Sequence, residues 1–209
     1  MSLDPGPDLL NAGVLHLQAG RLAAARRIFQ DILDRLPGDP DALHLLGLTA
    51  YQGGDFEDAI RRIRQAIERQ PGNPAFHSSL GLSLKATGRL DDAVQAFNDA
   101  LALYPEFSDA HFNLGSVLSL QGRPQDAVRH FAAALKSMPD DVETRFQLAR
   151  NQESMGDAVA ALDGYRRLVD AQPDFIAARF ALASMPRDLV GLDEALAHLD
   201  AIAAMAPDD

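Results

Sequence analysis

Residues 108–141 read SDAHFNLGSVLSLQGRPQDAVRHFAAALKSMPDD. Leu114, Val117, Leu118 and Gln121 recur at helical spacing as far as Gly122, and Ala127, Phe131, Ala134 and Leu135 recur at the same spacing beyond it. Gly122-Arg123 interrupts the run. Pro139, which has no amide to donate and clashes with the preceding turn, ends the second stretch, and Asp140-Asp141 suit the start of another helix. The segment predicts a helix, a tight turn, a second helix and a short connector.

Outward from this segment the pattern repeats every 34 residues. Pro37, Pro71, Pro105, Pro139, Pro173 and Pro207 share one register; Gly13, Gly47, Gly81 and Gly115, continued by Ala149 and Ala183, share another. Small residues recur at Ala25, Ala59, Ala93, Ala127, Ala161 and Ala195, and large apolar ones at Phe29, Ile63, Phe97, Phe131, Tyr165 and Leu199. A turn glycine recurs as Gly20, Gly54, Gly88, Gly122 and Gly156. The 209 residues therefore divide into a leader, 1–5, and six repeats, 6–39, 40–73, 74–107, 108–141, 142–175 and 176–209, predicted to form a single solenoid. Asp39-Pro40 and Asn73-Pro74 place a capping side chain before a proline at a first helical position. Glycine inside a helix costs ~1 kcal/mol relative to alanine. Gly47, Gly81 and Gly115 are thus expected where a neighbouring helix backbone passes close, opposite Ala59, Ala93 and Ala127, with Phe97 and Phe131 filling space between successive pairs.

Composition bounds the function. The chain is 47% hydrophobic and 23% charged, with no cysteine and a formal charge of −11. Its 10 basic and 14 acidic side chains up to Phe107, and 9 and 16 from Ser108 onward, leave neither half the positive field that nucleic acid or an anionic membrane requires. Without cysteine there is no disulfide, thiol nucleophile or cysteine-ligated zinc. Met1-Ser2-Leu3-Asp4-Pro5-Gly6-Pro7-Asp8 lacks the basic and apolar segments of a signal peptide, and no window approaches a membrane span, so the expected location is cytoplasmic.

The repeat at 108–141 resembles the tetratricopeptide repeat at nearly every defining position, and the resemblance extends over 6–209, most strongly in the second to fourth repeats. It implies an all-α solenoid, a right-handed superhelix of antiparallel helix pairs, whose first helices line a concave groove that binds a peptide or helix of another protein. On that pattern the groove-binding residues are Leu10, Val14 and Leu17; His44, Leu48 and Tyr51; Ser79, Leu82 and Lys85; Phe112, Asn113 and Ser116; and Gln147 and Arg150. The competing expectation is that such residues, Leu45, Leu82 and Phe146 among them, only pack against adjacent first helices. Members of the family that clamp a C-terminal carboxylate use Lys, Asn and Arg at inner positions. Here His44, Leu48 and Ser79 stand there, so that clamp is absent.

The repeat departs from the family pattern at its ends. His16 replaces an apolar residue; Ala149 replaces glycine and Leu168 a small residue; Pro186, with Val190-Gly191 displacing the turn, predicts a shortened or kinked helix in the sixth repeat.

No site chemistry emerges. His77 and His111, one repeat apart, are expected to pack half-buried at a helix spacing of ~8–10 Å rather than to share a metal. Glu57-Asp58, Asp91-Asp92 and Asp140-Asp141 read as solvated carboxylates near helix ends. The run Arg61, Arg62, Arg64, Arg69 suggests phosphate binding, but Glu57 and Asp58 stand four residues before Arg61 and Arg62 as helix-supporting pairs. The sequence points to a non-catalytic scaffold or adaptor without cofactor or metal, binding a protein or peptide and neither nucleic acid nor membrane. Two alternatives are a substrate-positioning module ahead of a catalytic domain, as in bacterial transferase-like proteins containing wording similar to Ala42-Leu43-His44-Leu45-Leu46-Gly47, and a self-assembling repeat protein. For the latter, Leu196 and Met205 on the last helix are the expected self-association residues, making a homo-oligomer through the solenoid ends.

Overall fold

The computed structural model describes residues 6–205, with side chains from Asp8 onward. All regular structure among them is α-helical. The helices are α1 (Gly6–Gln18), α2 (Leu22–Arg35), α3 (Pro40–Gln52), α4 (Phe56–Arg69), α5 (Pro74–Ala86), α6 (Leu90–Leu103), α7 (Ser108–Leu120), α8 (Pro124–Ser137), α9 (Val142–Ser154), α10 (Ala158–Ala171), α11 (Ile176–Ser184) and α12 (Leu192–Met205). The chain divides into two compact units, Met1–Asn113 and Leu114–Asp209, the division falling within α7. In the N-terminal unit each helix from α1 to α6 packs on the next, and the first helices α1, α3 and α5 also touch in sequence. In the C-terminal unit α8 to α12 pack in the same consecutive order.

Helix starts follow the sequence chemistry. Asp39 accepts from the Ala42 amide at 2.8 Å and Asn73 from the Ala75 amide at 3.0 Å, each followed by proline at the first helical position. Asp141 caps α9 through the Thr144 amide at 2.7 Å. Each such cap is worth ~1 kcal/mol. The turn glycines share a left-handed backbone, φ +75° at Gly88 and +69° at Gly122, and nothing lies within 4 Å of where their Cβ would stand. Backbone conformation, not crowding, demands glycine there.

The helix-interior glycines have a different cause from the one the sequence suggested. A Cβ on Gly81 would lie 2.7 Å from Cε1 and Cζ of Phe97, and one on Gly115 would lie 2.9 Å from Cε1 of Phe131. The close neighbour is therefore the aromatic ring of the same hairpin's second helix, not a passing backbone. At Gly47 the nearest atoms are Ile63 Cγ1 at 2.6 Å and then the Ala59 carbonyl oxygen at 3.3 Å. Each glycine is a seat for the large residue, and Phe29, Ile63, Phe97, Phe131 and Tyr165 are all fully buried. In the fifth repeat the seat is rebuilt. Ala149 occupies the first-helix position, and Gly164 on α10 gives way to it, its would-be Cβ 3.0 Å from Ala149 Cβ.

The sixth repeat breaks the pattern where Pro186 predicts it. Helix α11 has 9 residues where the other first helices have 13, and Met185 before the proline is extended at ψ 158°. Met185 and Val190 fill the core that the missing turn vacates, and Leu199, at the large-residue position, is 41% exposed.

Candidate functional site

The first helices of the N-terminal unit carry most of the expected groove residues, and the structure sorts them. Leu17 is 6% exposed and belongs to the core around Phe29 and Leu46, so it is removed from the site. It occupies the stripe of α1 that faces the next hairpin. Leu10, Val14 and Leu48 are half-buried against the same core. Tyr51 and Leu82 are half-buried, the Tyr51 ring lying 5.4 Å from that of Phe56. Lys85 is half-buried too, and burial lowers its pKa from the usual lysine range.

His44 and Ser79 are engaged with each other. His44 Nε2 and Ser79 Oγ are 2.8 Å apart, bridging α3 and α5, and the imidazole lies 4.6 Å from the Phe76 ring. Desolvation pushes the His44 pKa down to about 4, so the ring is neutral near pH 7. The pair is a strut between adjacent first helices rather than a free recognition element. Phe112 and Asn113 are half-buried on α7, and Asn113 Nδ2 donates to the Asp109 carbonyl of its own helix at 2.8 Å.

In the C-terminal unit, Ser116 is half-buried, Gln147 donates to Glu143 at 2.7 Å, and the exposed Arg150 guanidinium lies 5.8 Å from the Phe146 ring centroid. Phe146 packs edge-on against Phe175 at 5.3 Å. Behind it, Tyr165 donates its hydroxyl to Glu153 at 2.8 Å. Burial first, and then that carboxylate, raise the Tyr165 pKa. Leu196 is 47% exposed on α12, beside Leu192 at 61% and Leu199 at 41%, while Met205 is half-buried at the helix end.

The remaining polar candidates have local roles. His77 Nε2 bonds the Pro71 carbonyl at 2.8 Å and His111 Nε2 that of Pro105 at 2.9 Å. A carbonyl only accepts, so both rings donate from Nε2 and tie a helix to its preceding connector. At the equivalent positions Arg145 binds Asp140 and Arg179 binds the Pro173 carbonyl. Asp92 accepts from Arg89, Asp140 from Arg145, and Asp141 is a cap. Asp58, not Glu57, takes Arg61, and it takes Arg62 as well. Among the described residues no group of three or more His, Asp or Glu is placed to hold a metal ion, and no helix is long and apolar enough to cross a membrane.

Known proteins share this architecture. MamA from Desulfovibrio magneticus RS-1 is 19% identical, covers 79% of this chain and 94% of its own, and superposes with a TM-score of 0.74. YrrB, a tetratricopeptide repeat protein with an unusual peptide-binding site, is 20% identical over 83% of this chain and 89% of its own, with a TM-score of 0.69. The protein TTC0263 of Thermus thermophilus is 25% identical over 94% of this chain and 98% of its own, with a TM-score of 0.66. No protein of curated function matches the sequence. Profiles described as tetratricopeptide repeat match residues 9–40, 44–106 and 78–142, and a second such profile matches 118–185. With repeat profiles spanning most of its length and the helix hairpins they describe present in both units, the chain belongs to the tetratricopeptide repeat family.

Proposed function

We propose that the chain is a non-catalytic scaffold whose N-terminal unit binds a segment of another protein along α1, α3 and α5. The observation that carries this reading is the row of half-buried side chains Leu48 and Tyr51 on α3 and Leu82 and Lys85 on α5, presented by adjacent helices braced through His44 and Ser79. Apolar anchors of this kind supply most of the energy of peptide recognition, and a half-buried ammonium adds register by meeting a carbonyl or carboxylate. YrrB, described by its peptide-binding site, supports the same use of this fold. In the C-terminal unit, Gln147 and Arg150 beside Phe146 form a smaller mixed patch of the same type. Selection of a displayed peptide library against the chain tests the reading. Selected peptides bind the wild type and lose binding to a Leu48→Glu, Leu82→Glu variant; selection that yields no binder sensitive to those changes counts against it.

A second reading, self-association through α12, is favoured by the exposed Leu192, Leu196 and Leu199. No helix among the described residues is long and apolar enough to cross a membrane, and the location proposed for the chain is the cytoplasm, which cell fractionation checks.

A further inference from the structure

A cleft of about 680 Å³ opens between the second helices α2 and α4 of the N-terminal unit, lined by none of the first-helix groove residues. Its charged lining comprises Arg26, Arg27, Asp31 and Asp34 from α2 and Arg62 from α4. Asp31 is already matched by Arg35 at 2.7 Å, and Asp34 accepts the neutral amide of Gln30 at 3.0 Å. Asp58, its side chain 9% exposed, accepts Arg62 Nε on both oxygens at 3.0 and 2.9 Å, pairs with Arg61, and lies 4.0 Å from Arg26 Nη2. One buried carboxylate thus faces three guanidiniums. Arg27 forms no ion pair or hydrogen bond among the described residues. Three guanidiniums thus stand against two carboxylates in the lining, an excess of one positive charge on a chain of net charge −11.

We propose that this cleft binds an acidic segment of a partner protein, with Arg26 and Arg27 meeting its carboxylates and Arg62, oriented by Asp58, flanking them. Guanidiniums offer paired donors that match carboxylates and hold their charge at any physiological pH. Asp31 and Asp34 follow the arginine pair along α2 and line the same cleft, where they repel a compact dianion such as phosphate. Singly charged carboxylates spaced along a chain each meet one guanidinium and are repelled less by the two aspartates than a dianion is. The binding surface is separate from the first-helix face, so one chain can hold two partners or two parts of one.

The test uses the full chain and fluorescein-labelled hexaglutamate, followed by anisotropy at about 0.01 M ionic strength, where charges are screened over ~30 Å. Net repulsion between probe and protein makes saturable binding diagnostic of a local site. The expected result is saturable binding that weakens at least about tenfold in Arg26→Gln, Arg27→Gln and stays within about twofold of wild type when Arg129 and Arg167 of the C-terminal unit are changed to Gln instead. Arg27→Gln alone, which removes no hydrogen bond or ion pair among the described residues, also weakens binding. Absence of saturable binding overturns the proposal, as does equal loss in both sets of variants. Displacement of the probe by inorganic phosphate at lower concentration than by unlabelled hexaglutamate overturns the assignment to carboxylates.

Discussion

Changing Gly81 to alanine pits two effects against each other. Helix propensity favours the change by ~1 kcal/mol. The new methyl, however, stands 2.7 Å from two carbons of the Phe97 ring, well inside van der Waals contact, and Phe97 is fully buried. Overpacking of this kind costs ~1–3 kcal/mol, and because the opposing atoms belong to a packed ring rather than a flexible chain end, the upper half of that range applies. The net expectation is a loss of ~1 kcal/mol. The decisive comparison is made in a Phe97→Ala background. That change alone costs ~3–5 kcal/mol, but it removes the ring, so Gly81→Ala becomes stabilising by the ~1 kcal/mol of propensity. Urea unfolding of the four proteins, followed by far-ultraviolet circular dichroism, measures the cycle. The expected result is a sign reversal and a coupling of ~2 kcal/mol or more. Gly81→Ala having the same effect in both backgrounds would refute the view that glycine is present to seat the ring.

Protonation gives a second prediction. Well above pH ~6.5 His44 is neutral whether the chain is folded or not, and its strut is intact. As pH falls from ~6.5 to about 4, the unfolded chain takes up a proton that the folded chain refuses, so stability drops through that window by ~3 kcal/mol in total. His44→Gln should flatten this part of a stability–pH profile. Tyr165→Phe removes the hydroxyl that bonds Glu153, and thermal unfolding should show a loss of ~1 kcal/mol with the helical spectrum unchanged. Exposed leucines on α12 predict concentration-dependent sedimentation that disappears in a Leu196→Glu, Met205→Glu variant; a wild type monomeric at hundreds of micromolar would rule out strong end-to-end association.

Helix positions were legible because backbone constraints are local. A proline without an amide, a glycine at positive φ and an aspartate capping the next amide act within a few residues, and all recur in register. Contacts made by side chains over longer range were not. Gly81 signals that something is close, but whether it meets a backbone or the Phe97 ring depends on the hairpin's crossing geometry. Leu17 and Leu48 both look like groove residues by position, yet only the packing of α1 on its neighbours decides that Leu17 is core. The His44–Ser79 strut joins residues 35 apart and has no local signature. The arginine cleft has a partial signal in the sequence: Arg27 and Arg61 occupy the same register one repeat apart, which places successive second helices with guanidiniums in the same position. The run from Arg61 onward, with its carboxylates, says nothing by itself of the contribution of α2.

The central claim, that the first helices of the N-terminal unit form a protein-binding face, is tested most directly by hydrogen exchange of the whole chain with and without a selected peptide. The account predicts added amide protection concentrated in α1, α3 and α5, lost in the Leu48→Glu, Leu82→Glu variant. Protection confined to the second helices α2, α4 and α6, or unaffected by those two substitutions, would contradict it.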